Sequence, residues 1–243
     1  MKLYGLVGHP LGHSFSKAYF TEKFRREGLD SGYLNLDLQD VSQVREAARQ
    51  AHLDGFNVTT PYKESILPYL DALDPIAATV GAANTVLRLP DGQLKGFNTD
   101  VVGFAQSIQH IHPKPTLILG TGGASKAVQY VLRANGIPFH TTSRDAQKGH
   151  FTYRDLTPET IQAHPLIVNA TPLGMFPNID EAPEIHYEAI TSQHTLIDLI
   201  YNPEETLFLR YGRERGAQII NGLNMLHAQA EASWKLWQHP EKQ

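Results

Sequence analysis

Apolar runs alternate with amphipathic helical patterns along nearly the whole chain, which predicts an α/β fold in two domains with largely parallel sheets. Two further observations support this. The runs at 116–120, 165–171 and 195–201 are mostly continuous in apolar residues, as strands buried on both faces are. A strand, a glycine turn and a helix start follow one another in "LILGTGGASKA" at 117–127.

In the first hundred residues, strands are expected at 3–8, 33–38 and 55–60, with helices at about 16–27 and 41–51. Lys63 then falls near the start of a further helix. The stretch 84–100 reads as a hairpin around its Pro-Asp-Gly turn. Residues 101–110 form a linking helix, and 116–120 begins the second series. A helix from 121 ends at Gly136, and strands follow at 138–144, 165–171, 195–201 and 217–222. A final helix at 223–237 carries Leu223, Leu226, Ala230, Trp234 and Trp237 at helical spacing, so this stripe should face a core.

Composition removes several functional classes. With 41% hydrophobic and 19% charged residues the chain is an ordinary soluble globular protein, and a net charge of −4 without any basic block argues against nucleic acid. The absence of cysteine excludes disulfides, thiolate catalysis and thiolate-bound metal. Twelve histidines fall in no ligand spacing, so no metal site is expected. The N-terminus lacks a secretory core and no run is long enough to span a membrane, which points to the cytoplasm. Nothing in the sequence specifies an oligomer.

The glycine turn resembles the dinucleotide fingerprint, with Ser125 in place of its third small residue. Gly120 permits the turn, Gly122 lets backbone approach a pyrophosphate, and Gly123 and Ala124 open the helix whose free N–H groups would meet it. The next strand ends at Ser143, followed by Arg144 and Lys148, two cations that favour a 2′-phosphate and hence NADP over NAD. Asp145 between them weighs the other way. Asn169 and Thr171 close the following strand, at the edge where open α/β sheets bind ligands, and also suit a loop cap. A nicotinamide enzyme needs one proton handled beside the hydride. Lys63 and Asp100 each end an extended run within a polar cluster and form the natural pair. The plainer alternatives are a solvated lysine and a helix N-cap.

Together these segments resemble the shikimate dehydrogenase family nearly end to end. "GHPLGHSFS" (8–16) is similar to its opening motif, which implies that Ser14 and Ser16 hold the substrate carboxylate. "NVTTPYK" (57–63) implies Lys63 as catalytic lysine with Asn57 and Thr59 near the substrate. "GAANT" (81–85) implies Asn84, "GFNTD" (96–100) Asp100 as partner acid, "DLIYNPEET" (198–206) Tyr201, and "GLNMLHAQA" (222–230) Gln229. The resemblance also implies a substrate domain at 1–100 completed by 223–243, around a Rossmann-like NADP domain at 101–222. The implied reaction is reversible reduction of 3-dehydroshikimate to shikimate by NADPH. The chain departs from the family pattern at Lys17, where the opening motif has proline, and at Asp145 and Asn224, where it has a small hydroxyl residue and glycine; it is also somewhat short. Two competing readings are a quinate-accepting, NAD-using relative and a non-catalytic sensor on the same scaffold. Retention of both Lys63 and Asp100 speaks against the sensor.

Overall fold

The computed structural model describes residues 1–11 and 15–239. Its first elements are β1 (Lys2–Gly8), α1 (Phe15–Arg26), β2 (Ser31–Asp37), α2 (Val44–Gln50), β3 (Gly55–Val58), β4 (Ala72–Leu73), α3 (Pro75–Val80), β5 (Thr85–Arg88) and β6 (Leu94–Phe97). There follow α4 (Asp100–Ile108), β7 (Thr116–Leu119), α5 (Gly123–Ala134), β8 (Phe139–Ser143), β9 (Phe151–Thr152), α6 (Pro158–Ala163) and β10 (Leu166–Asn169). The rest are β11 (Thr195–Asp198), α7 (Leu207–Glu214), β12 (Gln218–Ile220) and α8 (Leu223–Gln238). Contacts divide the chain into residues 1–99 with the segment from Gln229 onward, and Asp100–Ala228. The second break therefore falls inside α8, whereas the sequence reading put it at the start of that helix.

The first unit holds a mixed sheet in the order β2-β1-β3-β5-β6-β4. β1 runs parallel to β2 and β3, and β5 is antiparallel to β3 and β6 across the expected hairpin. One apolar cluster gathers Val44, Leu53, Phe56, Ile66 and Val86. A second is largely aromatic, with Tyr4, Phe20, Phe24, Tyr33, Trp234 and Trp237. Trp237 stacks on Tyr4 at 4.7 Å, Trp234 meets the same ring edge-on at 5.6 Å, and the Trp237 Nε1–H donates to the Val86 carbonyl at 3.0 Å. Each indole thus buries its rings, and that of Trp237 also satisfies its polar edge. Gly55 lies directly under Trp237, where any Cβ would collide with the indole. The tryptophan stripe is buried as its spacing predicts, but its first member is not: Leu223 is exposed.

No α-helix follows β3. Residues 63–66 make successive turns and Leu67–Tyr69 a single 3-10 turn. The reason is Pro68, which has no amide to give the Glu64 carbonyl and disfavours helical backbone at Leu67. Lys63 therefore sits on a turn rather than at a helix start.

The second unit is a six-stranded sheet in the order β12-β11-β10-β7-β8-β9, with every neighbouring pair parallel. Renumbered from β7, this is the doubly wound order with its switch point between β7 and β10. Leu117, Leu119, Ile167, Leu196, Phe208 and Leu209 pack on one face as its core. Every residue of β7, β10 and β11 is buried, which explains why their runs are apolar on both faces apart from Thr116, Asn169, Thr195 and Asp198. Among the described residues no helix is long and apolar enough to cross a membrane.

Candidate active site

In the first unit the polar residues singled out by sequence converge on Asn57 and Asn84. Asn57 points inward from β3 and is buried. Its Oδ1 accepts from the Tyr33 hydroxyl at 2.8 Å, and its Nδ2 donates to Ser233 Oγ at 3.0 Å, Thr85 Oγ1 at 3.1 Å and the Asn84 carbonyl at 3.3 Å. Ser16, in the first turn of α1, hydrogen-bonds the Tyr33 hydroxyl; burial pushes that phenol well above its ordinary pKa and Ser16 draws it partly back. The amide of Asn57 is thus engaged on both sides, and it ties α1, β2, β5 and α8 to β3. Ser14 lies outside the described residues.

Asn84 has the same character. Its Oδ1 accepts from the Thr99 amide at 2.7 Å, and its Nδ2 donates to Thr99 Oγ1 at 3.0 Å and to Gln229 Oε1 at 3.4 Å. Its carbonyl accepts from Val58 N at 2.8 Å, while the neighbouring Ala83 N donates to the Lys63 carbonyl, also at 2.8 Å. The segments carrying Asn57 to Lys63, Asn84, and Thr99 are laced together by these bonds. Lys63 itself is half-buried, and so is Thr59, whose amide donates to the Val7 carbonyl at 2.9 Å. Asp100, the residue after Thr99, is buried in the first turn of α4.

In the second unit the turn after β7 has the geometry a dinucleotide requires. Gly120 has φ +105°, and a Cβ there would stand 3.0 Å from the Ala170 carbonyl oxygen and 3.1 Å from Thr171 Cγ2, so only glycine fits. Gly122 caps α5 in extended conformation and faces open space. Gly123 and Ala124 follow, with first-turn amides that have no intrahelical acceptor. Ser125 is fully buried and its Oγ donates back to the Gly120 carbonyl at 2.7 Å, so the departure from the fingerprint braces the turn. A pyrophosphate fits this place: the helix N-terminus is open, carries no acidic side chain, and is backed by a rigid loop.

Beyond β8, Ser143 is buried and Arg144 and Lys148 are exposed. Asp145 is turned into its own loop: its Oδ1 accepts from Gln147 N at 3.0 Å and its Oδ2 lies 3.8 Å from Lys148 Nζ. Asn169 is fully buried at the end of β10. Its Oδ1 accepts from Thr171 N at 3.0 Å and Thr171 Oγ1 at 2.6 Å, and its Nδ2 donates to Asp198 Oδ1 at 3.1 Å. Asn169 and Thr171 therefore shape the strand end and the loop behind Gly120, as a cap would. Tyr201 is half-buried, and burial raises its pKa. Among the described residues no group of three or more His, Asp or Glu side chains could hold a metal ion.

Two residues of this architecture were missed by sequence. Asp198 is fully buried, and desolvation pushes its carboxyl up to about 6 despite hydrogen bonds from Thr206 Oγ1 at 2.6 Å, Ile200 N at 3.0 Å and Asn169. Its signal was a lone acid inside the apolar run "TLIDLIY". Ser233 is the hydroxyl on the buried face of α8; its Oγ bonds Thr85 Oγ1 at 2.7 Å and Thr99 Oγ1 at 3.1 Å. A serine on the tryptophan stripe was the visible clue.

A doubly wound sheet with a glycine turn of this geometry places the second unit among dinucleotide-binding folds. The family model described as the shikimate dehydrogenase substrate binding domain matches residues 6–86. The NADP(+) shikimate dehydrogenase of Halothermothrix orenii is 36% identical over 259 residues, covering 96% of this chain and 89% of that protein. Among solved structures, shikimate dehydrogenase 1 of Peptoclostridium difficile superposes with a TM-score of 0.86 at 37% identity, covering 98% of this chain and 92% of that one. The Thermus thermophilus enzyme in complex with NADP(H) and shikimate gives 0.86 at 33% identity, covering 98% and 93%. The chain belongs to the shikimate dehydrogenase family.

Proposed function

We propose that this chain is an NADP-dependent shikimate dehydrogenase that interconverts shikimate and 3-dehydroshikimate, within the biosynthesis of aromatic compounds in the cytoplasm. In the forward direction 3-dehydroshikimate, NADPH and a proton give shikimate and NADP⁺. The nicotinamide supplies the hydride at the ring carbon that bears the carbonyl. What this chain contributes is position and one proton. Lys63 binds the oxygen of that carbon and delivers or receives its proton, with Asp100 as the acid that completes the pair. Ser14 and Ser16 take the ring carboxylate, and Thr59, Asn84, Tyr201 and Gln229 meet hydroxyls. Asn57 acts one step back, holding Tyr33, Thr85 and Ser233 in place.

On the cofactor side, the amides from Gly122 to Ala124 receive the pyrophosphate, and Arg144 and Lys148 the 2′-phosphate. One oxygen of the Asp145 carboxylate is occupied by Gln147 N, and the other stands 3.8 Å from Lys148 Nζ, a loose pair that the phosphate would replace. The first unit with α8 is the substrate domain in this reading and the second the NADP domain.

The observation that carries the proposal is the lacing of the Lys63 and Thr99–Asp100 segments on either side of Asn84, in a chain of this family. A sensor has no need of that pair. The test is steady-state kinetics with shikimate or quinate and NADP⁺ or NAD⁺ in all four combinations. The kcat/KM for shikimate with NADP⁺ should exceed that for quinate with NAD⁺ by orders of magnitude, and the reverse ratio would overturn the assignment. Lys63→Ala should lower kcat by about 10³-fold with NADP⁺ affinity nearly unchanged. Near-normal turnover in that variant removes the proton-handling role.

A further inference from the structure

The segment after β8 leaves the sheet at Ser143 and returns through His150 into β9, and His150 makes the first bonds of that return ahead of the β8–β9 pairing. His150 N donates to the Thr141 carbonyl at 2.9 Å, the Thr141 amide donates to His150 Nδ1 at 3.1 Å, and Thr141 Oγ1 lies 2.9 Å from the same nitrogen. A backbone N–H can only donate, so Nδ1 must present its lone pair and the ring must be neutral, with its proton on Nε2. Thr141 is buried, and the neighbouring Thr142 carbonyl is spent on Gly120 N at 2.8 Å. His150 itself is exposed, and with its imidazole removed the buried Thr141 amide loses its side-chain acceptor.

What the fastening encloses is Ser143–Lys148. Inside the loop, Asp145 N donates to Ser143 Oγ at 3.1 Å and Lys148 N to the Asp145 carbonyl at 3.0 Å, so Arg144 and Lys148 ride on a folded turn. The turn is set by its two ends, the end of β8 on one side and the His150–Thr141 bonds with the following β8–β9 pairing on the other. The titratable groups around that point are also imidazoles. The His140 ring stands 5.3 Å from that of His150, and His140 Nδ1 lies 2.8 Å from His164 Nε2. His164 Nδ1 donates to the Thr160 carbonyl at 2.6 Å, so in a neutral His164 the Nε2 accepts and His140 Nδ1 is the donor of the bond between them. Burial, then the charges of His164 and His150, hold His140 below the usual imidazole range. Facing His150 itself are Phe139, His140 and Thr141 of β8.

We propose that His150, accepting at Nδ1 from the Thr141 amide, is a positioning residue for the Arg144–Lys148 turn and thereby sets the preference for a dinucleotide bearing a 2′-phosphate. The inference rests on the reading that Arg144 and Lys148 receive that phosphate.

The experiment is calorimetric titration of NADP⁺ and NAD⁺ into wild type, His150→Asn, His150→Leu and Arg144→Ala at one fixed pH. Asparagine offers an uncharged acceptor near the place of Nδ1; leucine offers none. His150→Leu should weaken NADP⁺ binding about tenfold and leave NAD⁺ within about twofold, the size expected for one lost anchoring hydrogen bond. His150→Asn should restore NADP⁺ affinity to within about threefold of wild type. Equal losses for the two cofactors in His150→Leu, or a loss of NADP⁺ affinity in His150→Asn as large as in His150→Leu, would overturn the proposal alone. If Arg144→Ala also leaves the NADP⁺ to NAD⁺ ratio unmoved, the phosphate assignment has failed and the proposal with it.

Discussion

Among the described residues, Asp198 is the one carboxylate whose pKa is raised by burial. Its pKa rises from an ordinary 3.8 to about 6 in the folded chain. Between those values the folded state keeps a proton that the unfolded state releases, so this residue's contribution is fully present below about pH 4 and is lost as pH climbs through about 6. A shift of about two units is worth about 3 kcal/mol. Asp198→Asn keeps an oxygen for Ile200 N and Asn169 Nδ2 and turns an NH₂ toward Thr206 Oγ1, without a charge to bury. Relative to wild type, the variant should gain about 3 kcal/mol between about pH 4 and about pH 7. Urea unfolding is followed by far-ultraviolet circular dichroism, since Trp234 and Trp237 both belong to the other unit. A stability difference that does not change with pH would show that Asp198 is not held protonated by desolvation.

Asn57→Leu removes the partner of the buried Tyr33 hydroxyl together with the donor to Thr85 and Ser233, and should cost the first unit about 3 kcal/mol. Tryptophan fluorescence during urea unfolding reads it, and a change under about 0.5 kcal/mol would remove Asn57 from its hub role. Gly120→Ala forces a side chain into left-handed backbone 3.0 Å from the Ala170 oxygen, so a loss of about 1–3 kcal/mol and weaker NADP⁺ binding are expected. Wild-type affinity with unchanged melting would mean that the turn is not strained.

The sequence exposed what repeats locally and concealed what depends on distant partners. The parallel strands of the second unit were legible because burial on both faces leaves a mostly apolar run, and the hairpin because Pro-Asp-Gly admits few other conformations. β4 and β9 are two residues each and exist only through pairing with β6 and β8. The short helices α3 and α6 carried readable starts, Asp74-Pro75 and Thr157-Pro158, that are too brief to stand out by periodicity. The helix expected at Lys63 failed on Pro68, a breaker in plain view. At the site, sequence singled out asparagines that the structure places in buried hydrogen-bond networks, without distinguishing a side chain that faces a ligand from one consumed by its neighbours. Asn57 and Asn169 bond to residues 176 and 29 positions away, distances at which pattern is silent.

The Trp237–Val86 bond spans 151 positions. During synthesis the sheet of the first unit therefore emerges with its aromatic face bare, and it stays so while all of Asp100–Ala228 is made. The uninterrupted unit, though translated second, is the first that can close its core. A nascent chain stalled before Trp234 presents Tyr4, Phe20 and Phe24 to the surrounding medium, a greasy surface for chaperones to shield until the indoles arrive.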